Sequence, residues 1–193
     1  MSQEEFVDDY RAIEADYHLW IEQMESMEIE DFLGGLEDLM KEDPYFLYSH
    51  LLMSEILLEI DEPKKARNIL YDAGDRAIEL RTDEDGNWPE SMRWGFTENR
   101  HIIRAILKKA VDLWDQKKSD AALELLRKLL RSNPSDNVGA RHYILAIRLG
   151  MSHKKFEMRF DKGGYYDNDL EIWFDKNVKK YPDEFGWWLD TIE

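Results

Sequence analysis

The polar residues with the most suggestive spacing fall in two short runs, one beginning at residue 98 and one at residue 136. They combine arginine, amide and carboxylate side chains, at Glu98, Asn99, Arg100, Arg104, Asp136, Asn137 and Arg141. Asparagine both donates and accepts hydrogen bonds, and the planar guanidinium of arginine suits a carboxylate. The set could therefore bind an acidic peptide or protein segment. It could also be a polar network that ties neighbouring helices together, for instance through Arg141 and Glu98.

A second candidate set lies in residues 82–97, TDEDGNWPESMRWGFT, where aromatic side chains accompany glycine and proline. Tryptophan and arginine concentrate binding energy at protein interfaces, so this stretch could line a ligand pocket or an interface. It could instead fold back and cover the apolar floor of a groove. Together the two sets give the predicted partner-binding residues, namely Trp88, Arg93, Trp94, Asn99, Arg100, Arg104, Asn137 and Arg141.

Patterns typical of catalysis or metal binding are missing from the sequence. The chain has no cysteine, which excludes disulfides, thiolate metal sites and cysteine nucleophiles. The acidic stretch around Gly86 fails as a calcium loop, because Arg81 and Met92 would occupy two of the ligand positions. His18 and Glu22 share one helix face, but no second histidine accompanies them. We therefore expect a protein that is not an enzyme and needs no cofactor or metal.

The charge of this 193-residue chain is unevenly distributed, although its net value is −16. Residues 1–62 hold 19 acidic and 2 basic side chains, whereas residues 98–159 hold 7 acidic and 14 basic ones. The simplest interpretation is a solvated acidic face, and the alternative is docking of a partner of opposite charge. Nucleic acid is not expected as a partner, because the acidic third would repel phosphate.

The first residues and the hydropathy of the chain predict a cytoplasmic protein. The first residues, MSQEEFVDDYRA, are acidic where a signal peptide would be basic and then apolar. No run of apolar residues reaches the roughly 18 that a membrane span requires, so no membrane association is expected.

Apolar residues recur at three- and four-residue spacing through most of the chain, which predicts an all-α fold. The predicted helices are 4–27, 27–40, one beginning at Asp43-Pro44, one after Pro63, 98–116, 119–132, about 136–149, and short C-terminal helices. In the stretch LLRSNPSDNVGARHYILAI, Asn133-Pro134 ends one helix and Ser135 or Asp136 is expected to cap the next. Gly139 is expected to permit close approach to the preceding helix.

Small residues recur at positions that suggest a helical repeat. From Ile103 as position one, Ala110, Leu113, Ala122 and Pro134 occupy positions eight, eleven, twenty and thirty-two. A weaker copy begins near Leu47 and places Ser54, Leu57 and Ala66 at its matching positions. This pattern resembles the 34-residue tetratricopeptide repeat, in which small residues lie where two helices cross closely. Residues 98–141 are also similar as a whole to a segment of bacterial tetratricopeptide-like proteins.

The resemblance implies a single helical domain over residues 1–193, a right-handed α-α superhelix with capping helices at both ends. Its predicted parts are acidic helices in 1–42, a degenerate repeat in 43–81, a connection in 82–97, the clearest repeat with the following helix in 98–150, and capping helices in 151–193. The resemblance implies no settled activity. The carboxylate clamp of chaperone-binding tetratricopeptide domains is not expected, because Leu107 and Val111 stand where its Lys and Asn would be.

Two hypotheses for function follow. The first is a non-enzymatic scaffold that binds a protein or peptide in a tetratricopeptide-like groove and selects it by charge. The alternative is a structural protein that associates with itself as a homodimer, through exposed aromatic residues of the C-terminal helices. The aromatic residues concerned are Trp173, Phe174, Phe185, Trp187 and Trp188, which are otherwise expected to cap the last repeat.

Overall fold

A computed structural model describes residues 5–163, 165–166 and 168–192. These residues form ten α-helices and no strand, which confirms the all-α prediction. The helices are α1 Ile13–Glu22, α2 Ile29–Glu42, α3 Leu47–Glu59, α4 Pro63–Arg81, α5 Arg100–Asp115, α6 Ser119–Ser132, α7 Ala140–Arg148, α8 His153–Phe160, α9 Asp169–Val178 and α10 Pro182–Ile192. None of these helices has both the length and the apolar composition that crossing a bilayer requires.

The chain divides into two compact units, Met1–Lys108 and Lys109–Glu193, and the boundary falls within α5. In the N-terminal unit, α2 packs on α1 and α3, and α3 packs on α4. Apolar residues of these helices form its core, namely Ile13, Tyr17, Phe32, Leu36, Leu39, Phe46, Met53, Ile56, Leu57 and Ala66. The Ser54 hydroxyl donates a 3.0 Å hydrogen bond to the Ala66 carbonyl, so α3 and α4 cross closely at two small residues.

The first helix begins at Ile13, so the prediction of a helix from residue 4 is wrong. Residues 5–8 instead lie along the connection between α4 and α5. The Phe6 amide donates to the Ser91 carbonyl at 2.8 Å, and the Asp8 amide donates to Asn99 Oδ1 at 3.0 Å. We call residues 5–11 the N-terminal strap, because these bonds hold it against a segment about ninety positions away.

The third helix begins at Leu47, three residues after the predicted first turn at Pro44. Asp43 Oδ1 accepts a 2.9 Å hydrogen bond from the Tyr45 amide, and this closes a turn in front of the helix. The fourth helix begins at Pro63 itself, one residue before its predicted start, since proline suits the first helical position, where its missing N–H is not needed.

In the C-terminal unit, α7 packs on both α6 and α9, and aromatic rings fill the interior. Phe160 and Trp173 have ring centroids 5.0 Å apart, and Phe174 lies 5.6 Å from Phe185 and 5.9 Å from Trp188. Four of the five aromatic residues expected in the C-terminal cap are therefore buried. Trp187 is the exception, with 37% of its surface exposed.

The seventh helix begins at Ala140, with Gly139 at its N-cap, so the predicted start near residue 136 and the predicted cap at Ser135 or Asp136 are wrong. Asp136 still serves the start of the helix, because its two carboxylate oxygens accept hydrogen bonds from the Ala140 amide at 2.7 Å and the Arg141 amide at 3.1 Å. The expectation for Gly139 is wrong, because no atom of α6 would lie within 4 Å of an added Cβ. Gly139 is needed for its φ of +72°, and an added Cβ would lie 3.1 Å from His142 Nδ1.

Candidate binding surface

Helix α5 presents three basic residues at four-residue intervals, and this spacing places them on one helix face. Lys108, the last of them, forms an ion pair with Glu55 of α3. Arg100 is half-buried and Arg104 is exposed. Neither arginine has a carboxylate within ion-pair distance in the described part of the chain.

Trp94, from the connection before α5, holds these two arginines in place. Arg100 Nε donates a 3.1 Å hydrogen bond to the Trp94 carbonyl. The guanidinium carbons of Arg100 and Arg104 lie 5.3 Å and 5.2 Å from the Trp94 ring centroid, and that of Arg104 lies 5.7 Å from the Tyr48 centroid. A cation within about 6 Å of an aromatic face is attracted by the ring quadrupole. We call Tyr48, Trp94, Arg100 and Arg104 the arginine edge.

A cavity of about 210 Å³ adjoins the arginine edge and is lined by residues of α1, α3 and α5. Its lining residues are Tyr17, Tyr48, Leu51, Leu52, Glu55, Arg104 and Lys108. Burial raises the pKa of Tyr17 to about 12, and it also raises the pKa of Tyr48, against the opposing effect of Arg104. Both phenols are therefore neutral at pH 7, and the cavity offers aromatic surface beside a cation.

Two other predicted partner-binding residues fasten the N-terminal strap. Arg93 is exposed and forms an ion pair with Glu5. Asn99 is fully buried, and its amide nitrogen donates to the carbonyls of Phe6 at 2.9 Å and of Arg93 at 3.2 Å. With its oxygen held by the Asp8 amide, the Asn99 side chain is committed to internal hydrogen bonds.

Trp88 belongs to neither group. Its ring covers the Arg81 guanidinium, and both residues line a different cavity of the N-terminal unit.

Asn137 and Arg141 lie in the C-terminal unit. Asn137 is exposed, while Arg141 forms ion pairs with Asp136 at 2.8 Å and Glu171 at 2.7 Å. Burial raises the pKa of Asp136 to about 6, against the opposing effect of Arg141. Burial and Arg141 together lower the pKa of His142 to about 4, although Glu171 Oε1 lies 3.1 Å from its Nε2. The Arg141 charge is therefore already paired within its own unit.

The sequence patterns missed a buried network that centres on His101. The Leu47 amide donates to His101 Nδ1 at 3.1 Å, so the ring carries its proton on Nε2 and donates it to Asp8 Oδ2 at 3.0 Å. Arg11 binds Asp8 at 2.8 Å and Asp43 at 2.9 Å. Burial raises the pKa of Asp8, but the hydrogen bonds from His101 and Arg11 outweigh it and leave that pKa lowered. Because both ring nitrogens are engaged, His101 fastens the strap rather than serving as a base.

A metal centre would require several carboxylate or imidazole ligands to converge. Among the described residues, no three histidine, aspartate or glutamate side chains converge as metal ligands. His18 Nε2 lies 3.8 Å from Glu14 Oε1 on the same helix.

No model of a protein family, no curated protein and no solved structure matches this chain. The surface chemistry is therefore the basis for a functional proposal.

Proposed function

We propose that this chain is a non-enzymatic scaffold of tetratricopeptide-like helical repeats, which binds a protein or peptide through the arginine edge. The observation that carries the proposal is the pair Arg100 and Arg104, oriented by Trp94 and left without a carboxylate partner among the described residues. Guanidinium groups bind carboxylates through paired, charge-assisted hydrogen bonds. The partner segment is therefore acidic.

The charge surroundings strengthen this proposal. The N-terminal unit contains residues 1–62, where 19 acidic side chains accompany 2 basic ones. Arg11, Arg76 and Arg93 of that unit each form an ion pair with a carboxylate. Arg100 and Arg104 lack such a pair among the described residues, and apart from Arg100 Nε, which is bound to the Trp94 carbonyl, their donors can serve another molecule. The association should weaken as salt increases.

The packing of small residues supports the repeat part of the proposal. Ser54 and Ala66, which occupy matching positions of the weaker repeat, touch where α3 and α4 cross. Ala110 and Ala122 of the clearer repeat are fully buried. Close crossing of helix pairs at such positions is what a helix–turn–helix repeat requires, because a larger side chain would separate the helices.

A charge-reversal experiment tests the proposed surface. The chain is immobilised, exposed to extract of its native cells at low salt, and washed with rising salt before mass spectrometry. The test variant is Arg100→Glu with Arg104→Glu, and the matched control is Lys64→Glu with Lys65→Glu, at exposed positions of α4 in the same unit. We expect one acidic protein to be retained by the wild type and the control, and at least about tenfold less of it by the test variant. Equal retention by both variants would remove the arginine edge from the proposal.

Self-association remains the alternative outcome of the same experiment, in which only the immobilised chain itself would be recovered. Its structural support is weaker. Burial of Trp173, Phe174, Phe185 and Trp188 within the C-terminal unit leaves Trp187 as the exposed member of that aromatic set. Sedimentation of the purified chain at low salt distinguishes a dimer from a monomer.

A further inference from the structure

A cavity of about 340 Å³ lies between the N-terminal strap, the end of α4 and the start of the connection that follows. Its wall is formed by Phe6, Leu80, Arg81, Asp83, Trp88 and Pro89, together with neighbouring residues. The volume is within the range of about 300–1,000 Å³ that small-molecule sites occupy, and its lining surface is mostly apolar, although Glu5, Thr82 and Asn87 also border it. The arginine edge has no residue in this wall.

Arg81 is the exceptional residue of this cavity. It is 3% exposed, and none of its three guanidinium nitrogens has a hydrogen-bond partner among the described residues. Arg76, on the same helix, shows the usual arrangement, in which Asp72 accepts a 2.8 Å hydrogen bond. Burial lowers the pKa of Arg81 to about 9, with no carboxylate to oppose it, so the group is still charged at pH 7. A buried charge without a partner is costly, which leaves the free protein with an unsatisfied cation.

Nearby groups do not supply the missing partner. Glu5 also lines the cavity, but its carboxylate is held by Arg93. Asp83 accepts hydrogen bonds from the amides of Asp85 at 3.0 Å and Asn87 at 2.7 Å, which closes the turn around Gly86. Trp88 covers the guanidinium with its ring. Access to Arg81 from the cavity therefore requires the Trp88 side chain, which belongs to no helix, to turn away.

We infer that this cavity binds a small organic carboxylate, whose two oxygens pair with the Arg81 guanidinium while its apolar body contacts Phe6, Leu80 and Pro89. The planar guanidinium matches a carboxylate through two parallel hydrogen bonds. A phosphate dianion suits the site less well, because Glu5 and Asp83 border the cavity and the wall is mainly apolar. This inference does not depend on the function proposed for the arginine edge.

Thermal unfolding in the presence of benzoate tests the inference, with sodium chloride and inorganic phosphate at equal ionic strength for comparison. Benzoate supplies one carboxylate on an apolar body. At about ten times its dissociation constant, we expect it to raise the Tm of the wild type by about 3 °C or more, and chloride and phosphate to raise it less. The Arg81→Met variant should lose the benzoate effect. It should also have a higher Tm than the wild type without ligand, because an unpaired buried charge is removed.

The Arg76→Met variant is the matched control, and it should retain the benzoate effect, since Arg76 does not line the cavity. Should Arg81→Met not fold, Arg81→Lys replaces it, because an ammonium group cannot form the two parallel bonds. The inference is overturned if benzoate leaves the wild-type Tm unchanged, or if the effect survives substitution of Arg81. It is also overturned if phosphate stabilises the wild type more than benzoate does.

Discussion

Buried charged residues hold the N-terminal strap in place. The Asp8 side chain is 5% exposed and binds both Arg11 and His101, while the His101 ring also accepts the Leu47 amide. Folding removes each of these side chains from water, so the stability of the folded state depends on each one keeping its partner. Removal of one member of a buried ion pair typically costs about 3–5 kcal/mol, because the other charge is left unpaired.

The Asp8→Ala variant should therefore have a free energy of unfolding about 3 kcal/mol below that of the wild type. Asp9→Ala is the matched control, because Asp9 is adjacent in sequence and exposed, and its loss should change stability by less than about 0.5 kcal/mol. Urea unfolding of the three proteins measures the difference. Equal stability of the two variants would show that the Asp8 network contributes nothing to the folded state.

His50 should make the protein less stable as pH falls from 7 to 5. Burial lowers the pKa of its imidazole, against the opposing effect of Asp72, so the folded state binds the proton less readily than the unfolded state. Protonation of the unfolded chain below a pH of about 6.5 then draws the equilibrium toward unfolding. Asp8 acts in a different window, because its lowered pKa gives stability that is lost only below about pH 4.

Urea unfolding at pH 7 and pH 5 measures the effect of His50. The His50→Gln variant should lose less stability between these two pH values than the wild type does. His18 is exposed, so His18→Gln should behave as the wild type. An unchanged pH dependence in His50→Gln would assign the loss of stability to other groups.

Helix packing in the C-terminal unit depends on side-chain size at single positions of α6. Ala122 is fully buried, whereas Ala121, the preceding residue, is exposed. Ala122→Leu should reduce the free energy of unfolding by about 1–3 kcal/mol, because added methyl groups in a packed interior force neighbouring side chains apart. Ala121→Leu should leave it within about 0.5 kcal/mol of the wild type. Chemical unfolding of both variants provides the measurement, and similar losses would mean that helix propensity rather than packing determines the cost.

Local sequence patterns predict helix bounds well where a helix-starting residue or regular apolar spacing marks them. Pro63 marks the start of α4, and α6 runs over Ser119–Ser132 as its apolar spacing predicts. The predicted first helix begins too early, because the apolar spacing of residues 4–12 is also helical. The amides of Phe6 and Asp8 instead form hydrogen bonds with Ser91 and Asn99. Partners so distant in sequence leave no signal in the local spacing of apolar residues.

The candidate sites were predictable to a similar extent. The residue types of Trp94, Arg100 and Arg104 indicate a binding surface, and the structure brings these three side chains together. Asn99 was included for the same reason, but its burial depends on the strap and could not be inferred from its neighbours. In the sequence, Arg81 is notable only because it excludes a calcium loop around Gly86. Its lack of a partner is a property of the packed unit, so no spacing in the sequence could reveal it.

The whole molecule carries a net charge of −16, and residues 1–62 account for an excess of 17 acidic side chains. Carboxylates confined to one part of a compact protein repel one another, and dissolved ions screen that repulsion. We therefore expect the Tm of the isolated protein to rise as sodium chloride increases from about 10 mM to about 150 mM, where the Debye length falls from about 30 Å to about 8 Å. Binding of the partner should weaken over the same range. A Tm that falls with salt would indicate that ion pairs outweigh the repulsion.

The N-terminal strap also has a consequence during synthesis of the chain. Asp8 and Asn99 are separated by 91 positions, and a ribosome adds about 5–20 residues each second, so Asp8 waits roughly 5–20 s for its partner to be made. Helices α1 to α4 pack on one another and can assemble during that interval. The strap then joins a structure that is already largely formed. Because Phe6 is part of the wall beside Arg81, that cavity is completed only at this late step.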